Sequence, residues 1–159
     1  MKRMVALVVF TVAVAVVAGA ALAGKGNPGH GKRHHGKVVH VVEHATTDAL
    51  TNRGEGAGVD RVGDILTFTN DVFDAKDAAK VGSDQGYCVR MAVGVSWECV
   101  WTTIVPGGQI TVEGPFYDTK DSVLAVTGGT GAYSNVRGSM ELKSRAGGAE
   151  YDFIFHLLG

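Results

Sequence analysis

Two residues in this chain have the type and setting to handle charge beside an apolar molecule, Glu43 and Asn70. Glu43 sits near the end of the β-branched run Val38-Val39-His40-Val41-Val42-Glu43-His44-Ala45. Read with a period of two, Val39, Val41 and Glu43 share one face, and His40, Val42 and His44 take the other. A carboxylate on an apolar inner face is costly unless it is paired or used. The alternative is a solvated place at the mouth of a sheet. Asn70 closes the run Gly63-Asp64-Ile65-Leu66-Thr67-Phe68-Thr69-Asn70, where Leu66, Phe68 and Asn70 share a face. Its amide either joins the same hollow or bonds its own backbone as a strand-ending turn residue.

Cys88 and Cys99 are the only cysteines. They flank an apolar hairpin with a turn near Gly94, which sets them opposite each other and makes a cross-strand disulfide the expectation. No paired histidine points to a catalytic thiolate. His30, His34 and His35 lie in Gly24–Lys37, a glycine-rich basic stretch with nothing apolar to bury. It reads as a flexible linker whose histidines have no fixed metal-ligand spacing. The cluster Gly128-Gly129-Thr130-Gly131 lacks the Lys-Ser/Thr ending and the following helix of a phosphate loop, so it reads as a tight β-turn.

The elements that must hold these residues are strands. Twenty-three glycines and short β-branched runs favour strands and tight turns over helices. Asp48–Val62 is polar and reads as a loop, and Asp74–Lys80 as a surface turn. Trp97 to Ile104 is a strand with Trp97, Cys99 and Trp101 on one face, stopped by Pro106-Gly107-Gly108. Ile110 and Val112 alternate with Thr111 and Glu113, and Gly114-Pro115 is expected to break that strand. Ser122–Thr127, a strand opened by Val136-Arg137-Gly138, and Tyr151–Leu158 complete the set. About eight strands result, enough to close around one small ligand.

Residues 1–23 read as a signal peptide. Lys2 and Arg3 precede an apolar run, and Ala21-Leu22-Ala23 offers a small-x-small cleavage site. A retained anchor is the alternative, since the run is marginally long enough to span a bilayer. The expectation is therefore a secreted chain with no stable membrane insertion: a leader (1–23), a linker (24–37) and one domain (38–159). Net charge is −1, so no overall field attracts nucleic acid. No cofactor and no metal site is called for.

The stretch Gly114-Pro115-Phe116, Asp121, Leu124-Ala125-Val126-Thr127-Gly128-Gly129-Thr130-Gly131 and Tyr133 resembles the allene oxide cyclase pattern Gly-Pro-Tyr…Asp-x-x-Leu-Ala-Ile-Thr-Gly-Gly-Ser-Gly-x-Phe. Upstream, Gly63 to Asn70 is similar to the family's Gly-Asp-Leu-Val-Pro-Phe-Thr-Asn. Val81-Gly82 and Gly86-Tyr87-Cys88-Val89 are similar to its Val-Gly-x-x-x-Gly-Leu-Cys-Val, with no gap between Asn70 and Cys88. The resemblance covers most of the chain after about residue 38 and implies an all-β, eight-stranded antiparallel up-and-down barrel of the kind shared with plant dirigent proteins.

That resemblance implies an isomerase that folds a reactive epoxide in an apolar cavity and closes it to a cyclopentenone. Glu43 would stabilise charge that develops as the epoxide opens, and Asn70 would help hold a water. Leu66, Phe68, Cys88 and Phe116 would be walls, with Cys88 a plain liner. The family also implies a homotrimer. Three features depart from it. Ala45 stands in place of a water-binding Asn, the next loop is shorter and lacks a Pro, and Arg137 in Gly-Gly-Thr-Gly-x-Tyr-x-x-Val-Arg-Gly is nearer the dirigent pattern. Arg90 shares the face of Cys88, so a Glu43–Arg90 or Glu43–Arg137 pair would make the pocket polar. The readings are thus a cyclase-like isomerase, a dirigent-like guide with Arg137 in its pocket, a binding barrel for an apolar molecule, or a structural barrel with a filled middle.

Overall fold

The computed structural model describes residues 36–51 and 58–159. The expected leader, nearly all of the linker and its three histidines lie outside the described residues, as do residues 52–57 of the expected loop. Among the described residues no helix is long and apolar enough to cross a membrane.

The strands are β1 (Lys37–His44), β2 (Ala49–Thr51), β3 (Ile65–Asp74), β4 (Lys80–Ala92), β5 (Ser96–Val105), β6 (Gly108–Tyr117), β7 (Ser122–Gly131), β8 (Arg137–Arg145) and β9 (Glu150–Leu158). From β3 onward each pairs antiparallel with the next, and β1 pairs with both β9 and β3, closing an eight-stranded up-and-down barrel. The short β2, inside the stretch expected to be all loop, pairs only with β3 and extends the wall beyond the end of β1. Closure leaves no free edge in the ring, which suits a chain of short strands.

Alternation decides which side chains fill the middle. Val41, Val72, Ile110, Val112, Val126, Met140, Phe155 and Leu157 are buried, while the strand neighbours Asp71, Glu113 and Ala125 are exposed. Gly86 shows why a glycine falls in this pattern: a Cβ there would lie 2.3 Å from the Trp101 Cβ and 2.5 Å from the Val100 carbonyl oxygen, so the neighbouring strand passes too close for a side chain. Val42 faces outward as read, yet it is fully buried. It is flanked in register by Phe73 and Asp152, amid His44 stacked on Phe73 and Arg145 set between Asp77 and Asp152.

Two expectations about turns are corrected. Gly114-Pro115 does not break β6. Pairing with β5 runs on through Glu98↔Pro115 to Ser96↔Tyr117, whereas pairing with β7 stops at Glu113↔Ala125. The proline, with no N–H to give, stands where one neighbour has been lost. The cluster Gly128–Gly131 is strand, not turn, and the chain reverses after it at residues 132–135. Close backbone approach explains those glycines: a Cβ on Gly129 would lie 2.5 Å from the Gln109 carbonyl oxygen, and one on Gly131 2.2 Å from that of Gly107. The strand after Asn70 also runs on, to Asp74, before the expected turn.

Candidate functional site

The two ends of the barrel differ. One carries the 75–79, 106–107 and 132–136 turns and is filled by Val105, Ile110, Val126, Tyr133, Val136 and Leu157. The other carries the 93–95, 118–121 and 146–149 turns and opens into a cavity. Leu66 and Phe68 of β3, the Cys88–Cys99 pair across β4 and β5, Trp101 of β5, Phe116 of β6, Leu142 of β8 and Phe153 of β9 form its apolar wall. Glu43, Asp48 and Tyr151 supply its polar groups. Its volume is about 70 Å³, room for roughly five waters. Outside it lies a wider recess of about 550 Å³ between residues 117–121 and 144–148, sharing Phe116, Leu142 and Tyr151.

Ring contacts shape the wall, two of them edge to face and one, Trp101 on Phe153, tilted. Phe68 and Trp101 have centroids 6.1 Å apart, Trp101 and Phe153 5.4 Å, and Phe116 and Tyr151 5.8 Å. Cys88 and Cys99 are register partners and form a disulfide. Cys88 is therefore a wall residue as the resemblance implies, in the bridged form that the cysteine spacing predicts.

Glu43 is 5 % exposed and is held from below. The Asn70 amide donates to Glu43 Oε1 at 2.8 Å and to Asp48 Oδ1 at 3.0 Å. Asn70 Oδ1 accepts the Thr46 and Thr47 N–H groups at 3.1 and 2.9 Å and the Thr47 hydroxyl at 2.9 Å. Both amide hydrogens are used within the protein, so Asn70 orients Glu43 and ties down the segment after β1. The water-holding role that the resemblance implies has no free hydrogen left to serve it.

Asp84 sits behind this pair, fully buried, with Oδ1 accepting the Asn70 N–H at 3.1 Å. Burial pushes the Glu43 carboxyl up to about 7, against the opposing effect of the Asn70 amide. Asp84 is pushed higher, by burial first and then by the charge of Glu43. Burial raises Tyr151 too, with Glu43 and Asp48 adding to it. A carboxylate in an apolar slot with a second carboxyl behind it can stabilise positive charge or pass a proton.

Neither Arg90 nor Arg137 meets this pair. Arg90 is buried with its guanidinium over the Trp97 ring at 3.8 Å, bonded to Asp118 at 2.6 and 2.8 Å and to Asp60 at 2.9 Å. It ties the 58–64 segment and the 118–121 turn to the barrel rather than meeting Glu43. Arg137, expected in the pocket, is exposed at the packed end, with a guanidinium N–H donated to the Val136 carbonyl at 2.7 Å. It opens β8 opposite Leu158, whereas the cavity lies toward the other end of that strand. On the outer wall, His44, Asp77 and Glu150 place ligand-type atoms within 4.8 Å of one another. Arg145 stands 3.7 Å from Asp77 and 3.9 Å from Glu150, so the group is an ion-pair network.

Sequence reading found Glu43, Asn70, Leu66, Phe68, Cys88 and Phe116, and five of these line the cavity, with Asn70 just behind it. It missed Asp84, Asp48 and Tyr151. Asp84 had a signal, since period two from Cys88 through Gly86 puts it on the inner face of β4. Asp48 had none, because its place depends on the turn held by Asn70.

Comparison with known proteins agrees with this geometry. A solved pyocyanin demethylase is 26% identical with a TM-score of 0.66, over 76% of this chain and 99% of that one. A pterocarpan synthase dirigent protein is 20% identical with a TM-score of 0.60, over 78% and 97%. An exo-specific intermolecular Diels-Alderase is 16% identical with a TM-score of 0.62, over 78% and 98%. The last two establish the barrel alone. The family model for allene oxide cyclase matches residues 38–159, the whole closed barrel and the cavity within it, and the chain belongs to that family.

Proposed function

We propose that this barrel is a secreted isomerase that holds a reactive, apolar intermediate, of lipid-like or polyketide-like origin, and closes it stereoselectively. The observation that carries the reading is the cavity itself: apolar and aromatic on its sides, with a buried carboxyl, Glu43, at its inner face. In this reading the walls Leu66, Phe68, Cys88 and Phe116 fold the substrate and exclude water, which supplies most of the rate advantage. Glu43 faces the charge that develops as an epoxide opens, and Asn70 fixes its direction. The structural reading, a barrel filled throughout, is disfavoured by the open end, and the dirigent reading loses Arg137 as a pocket residue.

The disulfide supports an oxidising compartment, in line with a leader over residues 1–23. A homotrimer packed through barrel walls belongs to the same reading. It is supported by exposed Tyr87 and Met91 on β4 beside exposed Ile65 on the paired β3.

The test is to generate an allene oxide in situ from a fatty-acid hydroperoxide and to measure the enantiomeric excess of the cyclopentenone formed. Wild type is expected to give one enantiomer in excess, and Glu43→Gln to lose most of that excess. A racemic product with the wild-type protein, equal to that in buffer, defeats the reading. Equal excess and rate in Glu43→Gln would remove Glu43 from the chemistry.

A further inference from the structure

Asp84 is the least exposed charged residue near the cavity, and the function proposed above gives it no part. Its Oδ1 is bonded to the Asn70 N–H, while Oδ2 is buried and meets no hydrogen-bond donor among the described residues. Opposite it in register, Thr103 is also fully buried, and its hydroxyl is unpartnered as well. A buried carboxylate oxygen without a donor is costly, and a carboxyl that keeps its proton resolves this by donating. The acceptor on its inner side is Glu43, joined to the same Asn70 by side chain where Asp84 is joined by backbone.

We propose that Asp84 is the proton partner of Glu43: the two carboxyls share a proton behind the cavity wall, so that Glu43 can lend its own to an oxygen or nitrogen acceptor on a bound, ring-sized apolar molecule. The substrate side of this rests on the function proposed above. The sharing itself rests on the fold.

Charge balance supports it. The titratable groups facing the pair are Asp48 from the segment after β1, Tyr151 from β9, and His44, next to Glu43 on the opposite face. Asp48 and Tyr151 can add only negative charge. His44 is turned outward, bonded to Asp77 at 2.7 Å. Arg90 is held by Asp60 and Asp118. Among the described residues His44 is the cation whose charge reaches Glu43, and it is the weakest of the influences there, so two ionised carboxylates in one buried site still repel and one keeps its proton.

The step balances without an oxidant or reductant. The step starts from the pair with a proton on each carboxyl, the state below the pH at which Glu43 ionises: the Glu43 O–H bond breaks as an O–H bond forms on the epoxide oxygen, and the epoxide C–O bond opens. The Glu43 carboxylate then formed accepts from Asn70 Nδ2 and from the Asp84 O–H. Once the new carbon–carbon bond closes the ring, the oxygen returns its proton to Glu43 and becomes a carbonyl. Asp84 never touches the substrate and is a positioning residue.

The experiment is infrared titration of the full chain in deuterated buffer, following the carbonyl stretch of protonated carboxyls, with wild type, Asp84→Asn and Glu43→Gln. At about pH 8, above the range of ordinary carboxyls, wild type and Glu43→Gln are expected to keep one such band and Asp84→Asn none. Binding of naphthoquinone and naphthalene is measured beside it. The quinone, which can accept the proton, is expected to lose about tenfold in affinity as Glu43 ionises, while naphthalene does not change. Melting curves check that both variants fold, and Glu43→Gln carries the band test if Asp84→Asn does not fold.

Absence of the band in wild type overturns the proposal, as does a band that survives in Asp84→Asn or one that disappears in Glu43→Gln. A quinone affinity flat with pH, when the quinone binds, overturns the donation step. If neither probe binds while the band behaves as expected, the cavity reading fails and the shared proton stands.

Discussion

The barrel has one end built for cohesion and one end that gives cohesion up. At the packed end, Phe155, Ile110 and Met140 are fully buried in a continuous apolar filling. At the open end the same alternation of strands puts Leu66, Phe68 and Phe116 only partly out of solvent, around a cavity with two carboxyls at its base. The wall is the same; only the side chains on the inner face differ. Stability is thus drawn from one half so that the other can keep polar groups and free volume that cost it.

The sharpest way to break the contrast is to open the packed end. Phe155→Ala removes a fully buried ring and is expected to cost about 3–5 kcal/mol. Phe116→Ala, at the half-buried cavity rim, is expected to cost well under half of that and to weaken binding in the cavity instead. Urea unfolding of both variants decides it. Equal losses would mean that the cavity end carries as much of the stability as the filled end.

The next largest effect concerns the staple at the open end. Cys88 and Cys99 are 11 residues apart in sequence, and closing so short a loop is worth about 2–3 kcal/mol in the chain-entropy account. The double variant Cys88→Ala/Cys99→Ala is expected to lose about that much unfolding free energy and to gain nothing in stability from an oxidising buffer. A double variant as stable as wild type would show that the open end holds its shape without the bond.

The buried acids give the third. Glu43 and Asp84 both titrate higher in the fold than in the unfolded chain, so the fold holds more protons from about pH 4 upward. Stability then falls as pH rises through that window toward their folded values, the reverse of a salt-bridged carboxylate. Asp84→Asn keeps an acceptor for the Asn70 N–H and loses the charge. It is expected to be more stable than wild type on the alkaline side, by about 1–3 kcal/mol, and little changed in acid. Melting temperatures that stay level across neutral pH in wild type would contradict this.

How much of this was legible follows the same divide. Period-two alternation sufficed for the wall, because a strand with one buried face writes its orientation in every other residue. That placed Glu43, Leu66, Phe68 and Cys88 inward. Alternation does not say how far along the barrel a residue lies, and so Arg137 was assigned to a pocket that lies toward the other end of its strand. Gly114-Pro115 and Gly128–Gly131 misled for another reason. Both look like chain breaks locally, but the first marks the loss of one neighbour and the second the close approach of another, and neighbours are not written in a local pattern. Asp48 enters the site through three hydrogen bonds from the 46–47 segment to one amide oxygen, a tertiary fact.

Arg137 supplies the smallest effect and the cleanest separation of the two ends. Its position in the sequence resembles a dirigent arginine, while in the fold its side chain is exposed and its one described hydrogen bond goes to the neighbouring Val136 carbonyl. An exposed side chain with so local a partner contributes within about 0.5 kcal/mol. Arg137→Gln is therefore expected to leave the melting temperature, probe binding in the cavity and any product ratio unchanged. If the product ratio shifts while stability does not, the packed end takes part in function, and the division of labour between the two ends would have to be redrawn around a second, outward-facing site beside Val136.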